Sequence, residues 1–342
     1  MKKIYIDNPN SDQSIAIAKL IKKNSNIKTI GISEKKNSIK YFDKIISKSD
    51  FDFSSEINNK ENYYLPTTAK ETESFLKKRH IILKNIELKN NSLINFNKIE
   101  FLKKTSSINI PTPKTYFDIN EILSFPIFYK EKFERGGGIR GIALKHSDIP
   151  HKYKNDLIYQ EYIEEKGTYG VAFIARNGKL LTYHCHFEKD SFPKTGGSAV
   201  YIENFFHPNL LKYTSDIVEN IGYTGWGLAE FKFSKKINDF VIMEINSKMW
   251  ASCEFSFLNN PKFLEILFGI NIKNKHKKIK NTIFLNRFFA MGYIYVLKNI
   301  HKLFKVKKII IYPRLYFSII NCIIPHFIVK KIKLIKKIIN NN

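Results

Sequence analysis

Two acidic side chains and one amide, each set in an apolar run, carry the clearest chemistry in this 342-residue chain. Glu230 lies in Gly225-Trp226-Gly227-Leu228-Ala229-Glu230-Phe231-Lys232-Phe233. Glu244 and Asn246 lie in Val241-Ile242-Met243-Glu244-Ile245-Asn246-Ser247-Lys248. Both runs are rich in β-branched and aromatic residues and read as strands. The turn-forming Ser234-Lys235-Lys236-Ile237-Asn238-Asp239 between them makes an antiparallel hairpin. An unpaired carboxylate on an apolar sheet face is costly, so two facing acids call for a cation. Residues two apart in a strand share a face, which puts Glu244 and Asn246 together. Hard oxygen ligands held this way suit Mg²⁺ or Mn²⁺, with waters and phosphates as the other ligands. The alternative is that Glu230 and Glu244 pair with nearby lysines.

A second candidate lies upstream. Phe125-Pro126-Ile127-Phe128-Tyr129-Lys130 reads as a strand ending on a lysine, and it runs into Glu131-Lys132-Phe133-Glu134-Arg135-Gly136-Gly137-Gly138-Ile139-Arg140-Gly141. Ile142–Leu144 is a further strand. Strand, glycines and strand make a hairpin flap; no helix and no G-K-[ST] follow, so it is not a P-loop. Glycines let backbone N–H groups turn toward phosphate oxygens, and Lys130 and Arg140 add charge. A glycine-rich surface hairpin with no ligand is the competing reading. Next comes Leu157-Ile158-Tyr159-Gln160-Glu161-Tyr162-Ile163, an apolar strand whose edge could pair with a flat base, with Glu161 offering acceptors.

These segments need a scaffold. The first 90 residues alternate in β/α fashion: strands at Lys3–Ile6, Thr29–Ile32 and Asn62–Leu65, and a helix after Asn8-Pro9-Asn10-Ser11-Asp12 with Ile17, Leu20 and Ile21 on its inner face. Ala69 to Leu83 is predicted to be one helix. Strands alternating with helices imply a parallel sheet. No G-x-G-x-x-G follows the first strand, so this lobe lacks a dinucleotide fingerprint and reads as a substrate lobe. Phe96–Ser106 is a helix that ends before Ile110-Pro111-Thr112-Pro113.

The chain is long enough for two or three lobes. Its formal charge of +26 is uneven: after Glu265 there is no Asp or Glu, while residues 272–342 hold 17 of the 57 Lys and Arg. The basic excess belongs to the tail. Cys185, Cys253 and Cys322 are too scattered for a disulfide framework or a zinc site. His184 and His186 flank Cys185 on the other face of a strand, and two histidines are too few for a metal centre. The start Met1-Lys2-Lys3 has no apolar signal region, so a reducing cytoplasm is the expected compartment.

The order of these elements over residues 1–270 resembles the ATP-grasp superfamily, whose members clamp ATP between two α+β lobes and mostly join a carboxylate to an amine through an acyl phosphate. The branch it is most similar to is the ATP-dependent carboligases and carboxylate–amine ligases of surface-polysaccharide type. There a stretch like Gly196-Gly197-Ser198 precedes the metal hairpin and one like Glu244-Ile245-Asn246-Ser247-Lys248-Met249-Trp250-Ala251-Ser252 closes it. The resemblance implies an α/β chain. A pre-ATP-grasp β/α domain (1–92) would precede a two-lobed ATP-grasp domain (lid lobe with the flap, 93–166; metal lobe, 167–271), with a basic, helical C-terminal region at 272–342. By position, Lys98 and Lys130 would hold the α- and β-phosphates, and Gly136, Gly137, Gly138 and Arg140 would cover the phosphates. Gln160, Glu161 and the backbone at Ile163 would read the adenine. Glu230, Glu244 and Asn246 would bind Mg²⁺ or Mn²⁺, and Lys248 would support the acyl phosphate. Lys189, Gly197 and Ser198 are candidates for the acceptor side, with a solvated loop as the competing reading. Asn97 stands where Asp is usual and Lys248 where Arg is usual; lysine keeps the charge and loses the two-pronged grip on a phosphoryl group. That departure favours a rival role, a nucleotide-binding, non-catalytic scaffold or regulator at a membrane. The substrates implied are a small carboxylate and an amine, in cell-envelope glycan or small-metabolite biosynthesis.

The tail has two further readings. Leu315–Val329 is mostly apolar but interrupted, and too short to span a bilayer. Lys330–Ile339 places Ile332, Ile335 and Ile339 on one helical face and lysines on the other, the pattern of an interfacial helix on anionic lipid at the inner face of the membrane. The competing reading is a helical cap on the body. Nucleic-acid binding is the weakest, since no recognised module accompanies the charge.

Overall fold

The computed structural model describes residues 2–34, 39–57, 61–164, 166–194, 196–272, 278–313 and 315–323. They fall into two compact units, Met1–Phe187 with Asn204–Lys278, and Glu188–Glu203 with Ile279–Asn342.

In the first unit, β1 (Lys3–Asp7), β2 (Lys28–Ser33), β3 (Lys44–Ser47) and β4 (Tyr63–Leu65) form a parallel sheet of order β3-β2-β1-β4. Ser11 starts the helix Asp12–Asn24 by accepting from the Ser14 amide, and Ile15, Ile17, Leu20 and Ile21 bury its inner face. The helix predicted over Ala69–Leu83 stops at Leu76. The basic run Lys77-Lys78-Arg79-His80 follows, and β5 (Ile81–Ile82) pairs with β6 (Glu87–Leu88), a tertiary demand that overrides the local helical pattern.

A second sheet, antiparallel, has the order β7-β10-β8-β9, made of β7 (Thr115–Tyr116), β8 (Ile127–Glu131), β9 (Arg140–Ala143) and β10 (Leu157–Glu161). Ile127, Ala143, Leu157 and Tyr159 form its core. The flap is the excursion between β8 and β9, which pair with Lys130 opposite Arg140. A third sheet supplies the acids. β11 (Thr168–Arg176), β12 (Lys179–Phe192), β14 (Gly225–Ser234) and β15 (Asp239–Asn246) lie in the order β15-β14-β11-β12, and β13 (Ser198–Asn204) follows β12 in the chain. Val171, Ala172, Phe173, Ile174 and Ala175 are all buried, so the middle of β11 is apolar on both faces, as in a central strand. The helix Pro208–Ile221 lies between, opened by a proline and closed by Gly222 at φ 63°, a left-handed cap that glycine takes without strain.

In the second unit, β13, β16 (Asn281–Phe284) and β17 (Lys308–Ile310) are neighbours in that order, the first pair antiparallel and the second parallel. The helices Leu285–Ala290, Tyr293–Asn299, His301–Lys305 and Leu315–Ile323 accompany them, and Val200, Ile283, Phe288, Val296 and Cys322 form the core. Arg287 is buried, with its guanidinium against the Phe284 ring and a 2.7 Å bond to the Ala199 carbonyl. The apolar–basic segment Lys330–Ile339 lies outside the described residues.

Candidate functional site

The hairpin β14–β15 sets the site. Its register places Glu230 directly opposite Glu244, and a bulge follows at Glu230/Phe231. A bulge re-aims neighbouring side chains, which suits a position that must leave the regular ladder. Asn246, two residues beyond Glu244, donates its amide to Glu230 Oε1 at 2.9 Å and to Glu244 Oε1 at 3.2 Å. The predicted ligand triplet is thus one contiguous group, with an N–H₂ between two carboxylates. Among the described residues no group of three or more His, Cys, Asp or Glu could hold a metal. Two acids and an amide are a Mg²⁺ donor set only if phosphates and waters complete it, which is how Mg²⁺ is usually bound.

Three lysines converge here, on Glu244, on Asn246 and on Glu134 of the flap. Lys130, buried at the end of β8, donates to Glu244 Oε2 at 3.4 Å and to the Met243 carbonyl at 3.2 Å. Lys98 opens the helix Lys98–Ser106 and reaches Glu134 Oε2 at 2.8 Å and Glu244 Oε2 at 4.0 Å. Lys248 donates to Glu134 Oε1 at 3.1 Å and Asn246 Oδ1 at 2.5 Å. Asn97 caps the Lys98 helix, accepting from the amides of Ile99 and Glu100, so it fixes the turn that aims Lys98. Electrostatics follow from the packing. Burial opposes ionisation of Glu244, but Lys130 and Lys98 hold its carboxyl below the usual range. Burial likewise opposes ionisation of Glu134, and Lys248 and Lys98 outweigh it. Lys98 is pushed down by burial yet raised overall by Glu244 and Glu134, whereas burial and the charge of Lys98 leave Lys130 lowered.

Gly136, Gly137 and Gly138 of the flap all have positive φ (74°, 147° and 71°), a run that only glycine adopts freely. The Gly136 amide donates to Glu134 Oε1 at 2.8 Å and the Ile139 amide to Glu131 Oε1 at 3.0 Å. The flap is tied to the lysine helix by Lys98 N–H to the Lys132 carbonyl and Glu134 N–H to the Phe96 carbonyl, both 2.9 Å. Arg140 begins β9, half-buried.

Gln160 is fully buried in β10; its Nε2 donates to Thr115 Oγ1 at 3.0 Å and its Oε1 has no hydrogen-bond partner among the described residues. Glu161 accepts from the Lys114 amide at 3.0 Å, and Ile163, two residues on, is half-buried. Lys189, Gly197 and Ser198 belong to the second unit. There Lys189 pairs with Glu203 at 2.9 Å, Gly197 lies against the Phe192 carbonyl so closely that no Cβ would fit, and Ser198 begins β13. His184 is buried with Asn204 at 2.8 Å and pushed down to about 3, chiefly by burial and then by His186. It is a core histidine.

Glu134 is a functional residue that the sequence does not point to. It is the hub between Lys98 and Lys248, and its only local signal is an acid beside three glycines in an otherwise basic loop.

No family model matches the chain, and no curated protein matches it in sequence. Solved structures do match. The biotin carboxylase domain of the 2-oxoglutarate carboxylase of Hydrogenobacter thermophilus, solved with magnesium ADP, ADP and bicarbonate, aligns with a TM-score of 0.60 at 14% identity, covering 82% of this chain and 72% of that one. The L-amino acid ligase of Bacillus licheniformis aligns at 0.57 and 11% identity, covering 82% and 78%. The Rhizobium etli pyruvate carboxylase aligns at 0.59 and 14% identity over 80% of this chain, which spans 28% of that protein's length. At these identities the likeness is one of fold: the mixed α/β, multi-sheet architecture that ATP-grasp proteins have.

Proposed function

We propose that the chain is an ATP-dependent ligase that phosphorylates a substrate carboxylate, forming ADP, and passes the acyl group to an amine. The observation that supports it best is the convergence of Lys98, Lys130 and Lys248 on Glu244 and Glu134, beside the Glu230–Asn246 pair and the flap that carries Glu134. Three ammonium groups at one point are expensive to hold together unless anions arrive there, and a triphosphate brings them.

In this reading Glu230, Glu244 and Asn246 would hold Mg²⁺, which would supply charge neutralisation for the triphosphate. Lys98 and Lys130 hold the α- and β-phosphates, and the flap amides at Gly136–Gly138 close over them to keep water from the acyl phosphate. Glu134 occupies Lys98 and Lys248 in the nucleotide-free chain, so incoming phosphates must displace its carboxylate. Lys248, freed from it, steadies the transferring phosphoryl group. Gln160, fully buried and bonded to Thr115, supports β10 from within, which leaves the adenine edge to Glu161 and the backbone at Ile163. Glycan or small-metabolite substrates are the expectation from the sequence resemblance. In the neighbours, bicarbonate is bound by the carboxylase and the ligase is named for L-amino acids.

Glu244→Gln tests the assignment. The purified variant should lose substrate-dependent ADP formation by about a hundredfold or more, the scale of removing a charge-stabilising group from a transition state. ADP formation at the wild-type rate would overturn it. A scaffold would instead bind MgATP without any acid-dependent ADP release.

A second proposal concerns the second unit. No helix of the described residues is long and apolar enough to cross a membrane. Yet Tyr293, Ile294, Leu297 and Ile300 are exposed along consecutive helices, and Phe304 is 86% exposed, with Lys298 and Lys305 among them. We propose that this face rests on anionic lipid, burying apolar rings beside basic heads. Flotation with phosphatidylglycerol vesicles but not phosphatidylcholine vesicles supports it; equal behaviour with both removes it.

A further inference from the structure

A second group of charged residues stands at the carboxyl ends of the parallel sheet, and the phosphate site uses none of it. Asp7 ends β1, Glu34 follows β2, Lys48 follows β3, and Glu71 sits in the first turn of the helix Ala69–Leu76 that follows β4. β1 has β2 on one side and β4 on the other, and at such a reversal of strand order the strand ends open into a crevice.

Asp7 is the residue that needs explaining. It is only 7% exposed, and its Oδ2 has no hydrogen-bond partner among the described residues. The surrounding loops are fixed: Ser14 Oγ and Thr67 Oγ1 both donate to the Asp7 carbonyl at 2.9 Å, and Thr68 caps the Glu71 helix. Lys48 does not relieve the orphan oxygen by hydrogen bonding, because its ammonium is held by Glu71 Oε1 at 2.9 Å. Lys48 nonetheless feels all three carboxylates, Glu71, Asp7 and Glu34. Three acids therefore share one base. The same sheet face continues into Tyr5, opposite Tyr64, and into the rings of Phe51, Phe53 and Phe75.

A buried carboxylate oxygen without a donor costs free energy, and the natural complement is a cation bearing its own N–H groups. A divalent ion fits poorly, since no three of these acids are gathered tightly enough to hold one among the described residues. A protonated amine can span them, and aromatic rings nearby favour it. The position suits a substrate. A Cβ built on Gly136 of the flap would lie 3.7 Å from the Cβ of Ala69, the first residue of the helix that carries Glu71.

We propose that Asp7, with Glu71 and Glu34 around it, binds the ammonium group of a primary amine. The fate of that amine rests on the ligase reading above, where it is the acceptor; the binding does not. Burial, and then the charge of Glu71, push Asp7 up to about 6, against the Asn8 amide and Lys48. Glu34, Glu71, Lys48 and Tyr64 are the other titratable groups that bear on it. The carboxylate is ionised at neutral pH and loses its charge just below pH 6.

The test is calorimetric titration of the full chain, without nucleotide, with the common amino acids, glucosamine, putrescine and methylammonium, each beside its N-acetylated form. The expected result is that at least one amine binds while its acetylated form does not. Asp7→Asn should weaken that binding by about tenfold to a hundredfold, as for loss of a charged hydrogen-bond partner. Glu71→Gln should weaken it less. Wild-type affinity should fall about tenfold per pH unit below pH 6. MgATP affinity and melting temperature of Asp7→Asn serve as folding controls. If no amine binds, or Asp7→Asn binds as tightly as wild type, the proposal is overturned. Because turnover is not read, a chain that binds amine but makes no ADP keeps this site and loses the ligase reading. A working ligase whose amine affinity ignores Asp7 does the reverse.

Discussion

The first unit holds two clusters of carboxylates, and they differ in the cations provided for them. At the β14–β15 hairpin three lysines bear on two carboxylates, Glu134 and Glu244. At the end of the parallel sheet one lysine, Lys48, faces three acids. With Glu230 joined to it through Asn246, the first arrangement is neutral only while Glu134 lends its charge, so it is poised for an anion. The second leaves an acid oxygen unfilled, so it is poised for a cation. Ligand sign follows the local excess of charge, whereas the chain's overall +26 says nothing about either site.

Breaking the first cluster should give the largest effect. Lys130→Met keeps length and apolar packing but removes the ammonium, and MgATP affinity should fall by about tenfold to a hundredfold, read by calorimetry. The second cluster should respond in the opposite sense. Asp7 has its pKa raised from 3.8 to about 6, so the folded state binds its proton more tightly than the unfolded state. Its ionisation therefore costs stability as pH rises from about 4 to 6, and the cost persists above. Asp7→Asn should stabilise the chain at pH 7 by about 3 kcal/mol, and should have no effect near pH 3.5, read by denaturant unfolding. Glu134 shows the reverse sign. Its pKa is lowered below 4.5, so its contribution is fully present above that value and is lost progressively as pH falls below it toward the depressed folded value. Glu134→Gln should melt below wild type at pH 7 and converge with it in acid. Because it no longer competes for Lys98 and Lys248, it should also bind MgATP a few-fold more tightly. The smallest effect expected is at the second unit, where Phe304→Ser should weaken anionic-vesicle binding about threefold, the share of one partly inserted ring.

The same contrast shows what could be read in advance. The hairpin was legible because its pattern is local: period-two apolar runs, a polar turn, and acids at positions that the register had to bring face to face. Lys130 was legible as the end of a strand running into glycines. Lys98 was placed by resemblance alone, since nothing within its helix says that its ammonium is buried between Glu134 and Glu244. Glu134 and Asp7 were invisible for the same reason: their partners come from strands and helices far along the chain. The helix end at Leu76 was set by the pairing of Ile81 with Leu88, and the grouping of Glu188–Glu203 with residues beyond Ile279 by strand pairs some 80 residues apart, such as Tyr201 with Ile283.

The most direct measurement is transfer of carboxylate oxygen to phosphate. The chain would be incubated with MgATP, amines and a pool of metabolite acids carrying ¹⁸O in their carboxyl groups, and the released phosphate analysed by mass. An acyl phosphate places one ¹⁸O in the phosphate formed with each ADP. ADP released with unlabelled phosphate, or no acid-dependent ADP at all, would contradict it.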